Sequence, residues 1–180
     1  MNGIRCRRLL WYSFNRREDI PEPDESTHAL FESGKEVGEF AQKLYLNGIK
    51  LEWNWKLKKN AEQTFPALAL RRPLFESAAI YDSAYAQADV LVPAENGKWD
   101  IVEVKATSEV KPEHYIEVAF QKFVYEHAGI AINRCYLMHM NREYVRMGEV
   151  EPDKLFIKSD ISDKVSEFQK GSRGLFSRPG

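Results

Sequence analysis

One short stretch of the sequence places acidic and basic side chains where they could carry out hydrolysis. In the run Asp100–Lys105, Glu103 and Lys105 are two residues apart, and side chains two apart on a strand share a face. Asp89 lies in the preceding extended run, and a hairpin would bring it across from Glu103. Two converging carboxylates favour Mg²⁺ or Mn²⁺, a cation that activates water and neutralises a phosphate. The pattern predicts phosphodiester hydrolysis, with Lys105 orienting the attacking water or steadying the developing charge.

The same residues also allow a purely structural interpretation, without catalysis. A carboxylate two residues before a lysine arises by chance, and Glu109 and Lys111 repeat the spacing in a predicted turn with no partner strand. Glu103 and Lys105 could form an exposed cross-strand ion pair worth about 0.2–1 kcal/mol, with Asp89 on a solvated face. Two opposed carboxylates with a single lysine, however, cost stability unless a cation relieves them. We therefore prefer the catalytic interpretation.

Hydrophobic periodicity predicts the elements that position these residues. Three extended runs form an antiparallel meander, the last two joined at an Asn-Gly step that favours a tight hairpin: 74–82, 84–93 and 98–106. A further buried strand is expected at 132–141. Helices are expected at 33–46, 60–71, 112–129 and, more weakly, 160–169. Helix, meander, helix and strand indicate an α/β fold whose mixed sheet is flanked by helices.

Alternation along the second extended run predicts its two faces. One face would be small and apolar and able to receive a packed helix, and it comprises Ala84, Ala86, Ala88 and Val90. The other face would carry the side chains of the site, namely Tyr85, Gln87, Asp89 and Leu91.

Bulk properties narrow the class of protein. With 180 residues and 43% hydrophobic content, the chain suits one ordinary globular domain. It has no run of about 20 apolar residues and no secretory signal at its start, so we expect a soluble cytoplasmic protein without membrane contact. The two cysteines, Cys6 and Cys135, are too few for a disulfide framework or a four-thiolate site.

The net charge of the chain leaves only local basic clusters as sites for nucleic-acid binding. The net charge of −1 provides no general field for a polyanion, so any nucleic-acid contact must come from a basic cluster. Such clusters are more often solvated faces than binding sites, and they fall at Arg5 to Arg8, Arg16 and Arg17, Lys56 to Lys59, and Arg71 and Arg72. We assign the last pair to nucleic-acid binding.

The run from Ala88 to Gly129 resembles the RecB-like branch of the PD-(D/E)XK nuclease superfamily. That branch carries an Asp, then Glu-x-Lys on the next strand, then Gln-x-x-x-Tyr on the following helix, and the likeness extends over about residues 28–140. It implies a restriction-endonuclease-like core. It also implies metal binding by Asp89, Glu103 and the main-chain carbonyl of Val104, and catalytic roles for Lys105, Gln121 and Tyr125. Gln121 and Tyr125 would face one groove, where Tyr125 would stack or hydrogen-bond on a substrate strand. The alternative for Tyr125 is a helix tyrosine at the edge of the core.

The chain departs from that branch at two places. Gln42 stands where many relatives have a metal-binding histidine, which leaves the third protein ligand open. Glu36 or Glu39 could supply it from the adjacent turn, and the alternative is that both are solvent-facing helix glutamates. Cys6 resembles the first cysteine of iron–sulfur members, but the three later cysteines are missing. Either the chain is part of a longer protein, with a partner domain that completes it, or this member has no cluster; an iron–sulfur cluster is not expected in the chain itself.

Together these features predict a Mg²⁺- or Mn²⁺-dependent deoxyribonuclease acting on single strands or ends. The nuclease domain would span 28–170, after a basic segment and linker at 1–27 and before a flexible tail at 171–180. A catalytically weak or inactive nucleic-acid-binding or assembly module with the same fold is the alternative, since the histidine is missing and the charge is near neutral.

Overall fold

A computed structural model describes residues 7–22 and 24–171. The predictions made for Cys6 and for the tail beyond residue 171 fall outside the described residues. The chain divides between Lys35 and Glu36 into two compact units. No helix within the described ranges is long and apolar enough to cross a membrane.

The first unit contains helix α1 (Arg7–Asn15), a 3-10 turn (Arg17–Asp19) and the beginning of helix α2 (Glu25–Gln42). Asp24 caps α2, because its carboxylate accepts hydrogen bonds from the Thr27 amide at 2.8 Å and the Ser26 hydroxyl at 2.9 Å. These bonds also lower the pKa of Asp24. The prediction that this helix begins near Ser33 is therefore wrong, since an N-cap far upstream starts it.

The second unit is built on one curled sheet of six strands, in the order β1-β2-β3-β4-β5-β6. Its strands are β1 (Ile49–Lys50), β2 (Leu74–Tyr81), β3 (Ala84–Pro93), β4 (Trp99–Lys105), β5 (Ile132–Met140) and β6 (Phe156–Asp160). Strands β2, β3 and β4 form the predicted antiparallel meander. Strand β5 runs parallel to β4, β6 runs antiparallel to β5, and β1 runs parallel to β2. The sheet is thus mixed, as expected.

Helices lie around this sheet. They are α3 (Leu57–Leu68), α4 (Pro112–His127), α5 (Pro152–Leu155) and α6 (Ser162–Gly171). Helix α4 is the crossover that parallel neighbours such as β4 and β5 require. Its predicted boundaries are confirmed to within two residues, because Pro112 suits a first helical turn and Gly129 adopts a positive φ of 90°.

Two hydrophobic cores occupy the two sides of the sheet. The first joins the sheet to α3, α4 and α6, and its fully buried members include Leu74, Ala88, Leu91, Ile101, Val118, Val124, Tyr125, Leu137 and Val165. The second joins the sheet to the C-terminal half of α2 and to the segment that enters β6, through Val37, Ala41, Phe75, Val90, Val102, Met138, Leu155 and Phe156. Burial on both faces explains why neighbouring residues in the central strands are both apolar, as at Val90 and Leu91 and at Ile101 and Val102.

Three local predictions need correction. Helix α3 begins at Leu57 and continues through Pro66, which was expected to begin or break it. Strands β1 and β6 were not predicted, since a two-residue strand and the run Phe156–Asp160 carry too little periodicity. The Asn-Gly step between β3 and β4 is confirmed as a tight connection, with Asn96 and Gly97 at φ values of 55° and 74°.

Candidate active site

The predicted catalytic residues lie where strands β3 and β4 part. The ladder between these strands runs from Pro93–Trp99 to Val90–Val102. One step further, the opposed residues are Asp89 and Glu103, and regular pairing has ended. The Val104 amide donates instead to Asp89 Oδ2, at 2.6 Å. A side chain has therefore replaced the main-chain acceptor, and this holds the Asp89 carboxylate between the two strands.

Strand β2 is irregular at the same level. Its ladder with β3 contains the pairs Phe75–Val90 and Ser77–Ala88 but not the pair between them, which would be Glu76 and Asp89. Glu76 adopts a φ of 59°, a left-handed conformation that costs energy in a side-chain-bearing residue. This strain marks the place where the sheet opens to admit acidic side chains.

The irregularity overturns the predicted faces of β3. Ala86 and Ala88 pack beneath α4 in the first core, as expected of a smooth face. Val90, predicted to join them, packs in the second core instead, while Leu91 packs in the first. The alternation shifts at Asp89 because the strand leaves regular pairing there.

Glu103 is held by two donors beneath helix α4. Its side chain is almost fully buried, at 4% exposure. Oε1 accepts from Lys105 Nζ at 2.6 Å, and Oε2 accepts from Gln121 Nε2 at 2.7 Å. Lys105 Nζ also donates to Glu117 Oε2 at 2.7 Å. Glu103 and Lys105 thus share the face that the strand period predicted, and both reach α4.

Gln121 joins this helix to the opened strand. Its Nε2 donates to the Gln87 carbonyl at 2.9 Å as well as to Glu103. Its Oε1 is buried and has no hydrogen-bond partner within the described part of the chain. Gln121 is only 5% exposed, so it positions Glu103 and strand β3 and does not present itself to a polymer.

Tyr125 has a structural position that contradicts its predicted role as a stacking platform. Its side chain has no exposed surface. Its hydroxyl donates to the Ser77 carbonyl at 2.6 Å and accepts from the Ala88 amide at 3.2 Å. The hydroxyl therefore stands between a carbonyl of β2 and an amide of β3, beside the missing Glu76–Asp89 pair. Tyr125 helps to open the sheet and cannot stack on a base from that position.

The acidic cluster, defined here as Glu76, Asp89 and Glu103, carries mutual repulsion. Burial and the charges of Glu103 and Glu76 raise the pKa of Asp89 well above its usual range. Burial also raises the pKa of Glu103, against the opposing effect of Lys105, and burial raises the pKa of Glu76. A bound cation would relieve this repulsion.

Lys105 stands in the opposite electrostatic situation. Burial works to lower its pKa, but the carboxylates of Glu103 and Glu117 outweigh that effect and raise it. The ammonium group therefore stays charged throughout the neutral range. Because its side chain keeps 22% exposure, it remains reachable from solvent next to the acidic cluster.

The donor set fits a hard divalent cation in type but is incomplete in number. Asp89 and Glu103 offer buried or half-buried carboxylate oxygens, which Mg²⁺ and Mn²⁺ favour. Within residues 7–22 and 24–171, however, no group of three or more His, Cys, Asp or Glu side chains is arranged to hold a metal ion. Glu36 and Glu39, the predicted further ligands, are exposed on α2 and belong to no such group.

The predicted basic pair is engaged elsewhere. The guanidinium of Arg71 donates to the carbonyls of Ala94, Gly97 and Lys98 and lies 4.6 Å from the centre of the Trp99 ring. Arg72 Nε donates to the Asn47 carbonyl at 2.6 Å. Both arginines fasten turns to the sheet while remaining exposed, so their assignment to nucleic-acid binding stays a prediction.

Sequence reasoning missed two acidic residues of the site. Glu76 interrupts the apolar run of β2, and a lone carboxylate in such a strand is a usable signal. Glu117 lies one helical turn before Gln121, so the spacing that selected Gln121 and Tyr125 also selects it. Both were overlooked because neither belongs to the Glu-x-Lys pattern.

Comparisons with known proteins add little. No protein-family model matches the chain, and no curated protein matches its sequence. A solved structure described as "Crystal structure of SSO0001" superposes over 96% of this chain and 72% of its own, with 12% sequence identity and a TM-score of 0.45. A likeness at that level carries no argument about fold family or activity.

Proposed function

We propose that the chain is a metal-dependent nuclease that hydrolyses phosphodiester bonds of DNA, in single strands or at ends. The observation that carries the proposal is the meeting of Asp89, Glu103 and Lys105 where β3 and β4 part. A strained and largely buried cluster of charges serves folding poorly, and its charges match the needs of phosphate hydrolysis. The proposal includes a restriction-endonuclease-like core for the sheet and α4.

In this proposal each residue has a defined task. Asp89 and Glu103 would hold Mg²⁺ or Mn²⁺, with the Val104 carbonyl as a further ligand, and the cation would supply charge neutralisation and an activated water. Lys105 would keep its proton and face the scissile phosphate. Gln121 would fix the orientation of Glu103, as its 2.7 Å bond allows. Tyr125 would maintain the opening of the sheet from the interior.

A binding or assembly module with the same fold is the second candidate. The observation that favours it is the position of Lys105, whose ammonium is already shared between Glu103 and Glu117. The absence of a three-residue metal group among the described residues points the same way. Turnover distinguishes the two candidates.

The test is cleavage of end-labelled single-stranded and duplex DNA with Mg²⁺, Mn²⁺ or EDTA. We expect metal-dependent cutting of the single strand, reduced about 100-fold or more in Lys105→Ala and Asp89→Ala. Placing the label at either end separates cutting at ends from internal cutting.

The chain offers matched controls for both variants. Lys111→Ala alters the lysine of the second Glu-x-Lys run, which lies in an exposed turn, and Asp82→Asn alters an exposed aspartate in the turn between β2 and β3. Both should cut like the unaltered chain. Cutting that survives Lys105→Ala and Asp89→Ala, or no cutting with any metal, would refute the nuclease proposal, and retained DNA binding in the second case would favour the module.

A further inference from the structure

Between β1 and α3 the chain exposes two large aromatic side chains among lysines. Trp53 is 67% exposed and Trp55 is 72% exposed, although tryptophan normally contributes its large surface to a core. Lys56, Lys58 and Lys59 follow directly and are also exposed, and Lys56 Nζ lies 4.9 Å from the centre of the Trp55 ring. We call residues 53–59 the aromatic–basic segment.

The residue between the two tryptophans is held firmly. The Asn54 amide donates to Asn60 Oδ1 at 2.7 Å, and Asn60 Nδ2 donates back to the Asn54 carbonyl at 2.8 Å. Asn60 itself is buried, with 4% exposure. Gln63 Nε2 also donates to the Glu52 carbonyl at 3.1 Å. The backbone is therefore anchored to α3 while Trp53 and Trp55 face solvent, so their exposure is built into the fold.

The anchor continues to the acidic cluster through polar contacts. Asn60 Nδ2 lies 3.4 Å from the Tyr85 hydroxyl, which donates to Gln87 Oε1 at 3.1 Å. Gln87 Nε2 in turn donates to Glu76 Oε2 at 2.8 Å. The aromatic–basic segment is thus joined to the candidate active site by a continuous chain of hydrogen bonds.

We infer that the aromatic–basic segment binds a single-stranded polynucleotide and leads it to the acidic cluster. Trp53 and Trp55 offer faces on which unpaired bases stack, and the lysines meet the phosphates between those bases. The local charge favours this occupant, since Lys56, Lys58 and Lys59 outnumber the two nearby exposed glutamates, Glu52 and Glu62. Glu62 lies 4.0 Å from Lys58. The delivery of the strand to the cluster rests on the proposed function, whereas the binding itself does not.

Binding is measured by fluorescence anisotropy of a labelled thymidine oligonucleotide, a uridine oligoribonucleotide and a DNA duplex, with the full chain in EDTA. We expect Trp53→Ala and Trp55→Ala each to weaken single-strand binding about 10-fold. Duplex binding should be weaker than single-strand binding in the unaltered chain, because paired bases present no free faces. The two oligonucleotides distinguish DNA from RNA as the preferred strand.

Charge and fold are checked separately. Replacing Lys56 and Lys59 together by Ala should reduce the slope of log affinity against log salt by about 1.4. Trp11→Ala, which removes a tryptophan of the first unit that is 53% exposed, serves as the matched control and should bind normally. Thermal melts should show every variant folded, because all the altered side chains are exposed.

Strand binding by the aromatic–basic segment and the nuclease proposal can each fail without the other. Binding lost in the tryptophan variants but without any metal-dependent cutting would sustain this inference and refute the nuclease. Cutting by the unaltered chain together with unchanged binding in Trp53→Ala and Trp55→Ala would overturn this inference and leave the nuclease standing. Equal loss in Trp11→Ala, or equal affinity for duplex and single strand, would also overturn it.

Discussion

Asp89 is the residue at which the proposed function and stability oppose each other. It accepts the Val104 amide at 2.6 Å, yet it shares its surroundings with Glu103 and Glu76, and its pKa is raised. A folded-state pKa above the unfolded value means that the charged form is disfavoured by folding. Its contribution to stability is complete below the unfolded pKa and is lost as the pH rises through the folded pKa.

Asp89→Asn should therefore stabilise the metal-free protein at neutral pH. The amide oxygen can still accept the Val104 amide, while the repulsion from Glu103 and Glu76 disappears. We expect a gain on the order of 1 kcal/mol, or about 2–4 °C in melting temperature, measured by thermal unfolding in EDTA.

Metal addition provides the second half of that experiment. Mn²⁺ should raise the melting temperature of the unaltered chain but not that of Asp89→Asn, since a ligand that binds only the native state stabilises it. Asp82→Asn, in an exposed turn, should leave both measurements unchanged. A less stable Asp89→Asn protein in EDTA would show that repulsion is not the dominant effect.

Among the elements, helix α4 organises the site. Its inner face carries Glu117, Gln121 and Tyr125 at successive turns, and each makes a polar contact with a strand or with Lys105. Glu117 holds the lysine, Gln121 holds Glu103 and the Gln87 carbonyl, and Tyr125 separates β2 from β3. The helix therefore acts as a template whose turns determine where the sheet opens.

Tyr125→Phe tests that role of the helix. Loss of the hydroxyl leaves the buried Ala88 amide and Ser77 carbonyl without their partner, and an unsatisfied buried group of this kind costs about 2 kcal/mol. Urea unfolding should show this loss, and the Ala88 amide should exchange its hydrogen faster.

The comparison for that variant is Tyr81→Phe. Tyr81 is 40% exposed at the end of β2, so we expect a change within about 0.5 kcal/mol. Equal stability of Tyr125→Phe and Tyr81→Phe would mean that the two strands close on each other once the hydroxyl is removed.

For the second unit as a whole, the six-stranded sheet carries cores on both faces. Strand β5 illustrates the consequence, because it pairs with β4 on one side and β6 on the other. Its Cys135 is 1% exposed, and burial raises the pKa of the thiol to about 12. A thiol in that position reports on opening of the whole sheet and not on a local movement.

Cys135 should accordingly resist thiol reagents until the protein unfolds. In a Cys6→Ser background at pH 8, the low thiolate population alone predicts labelling roughly 1,000-fold slower than for a free cysteine. Measured across increasing guanidinium, the labelling rate should follow the unfolding transition seen by circular dichroism. Rapid labelling at pH 8 without denaturant would indicate that β5 is exposed and would contradict the burial of this strand.

Several features were determined by the sequence alone. The Asn-Gly step, Pro112 and the alternation around Glu103 and Lys105 led to the meander, to helix α4 and to a shared face for the two charged residues. These predictions were correct because turn chemistry, helix capping and strand period act over a few residues, and a sequence pattern describes the same range.

Other features were decided only by the tertiary structure. The left-handed Glu76, the face change at Asp89 and the burial of Tyr125 depend on how three strands and a helix meet. The same holds for Arg71, whose guanidinium fastens a turn that is distant in the sequence. Such contacts join residues far apart in the chain, and no local pattern encodes which of them satisfies a given buried group.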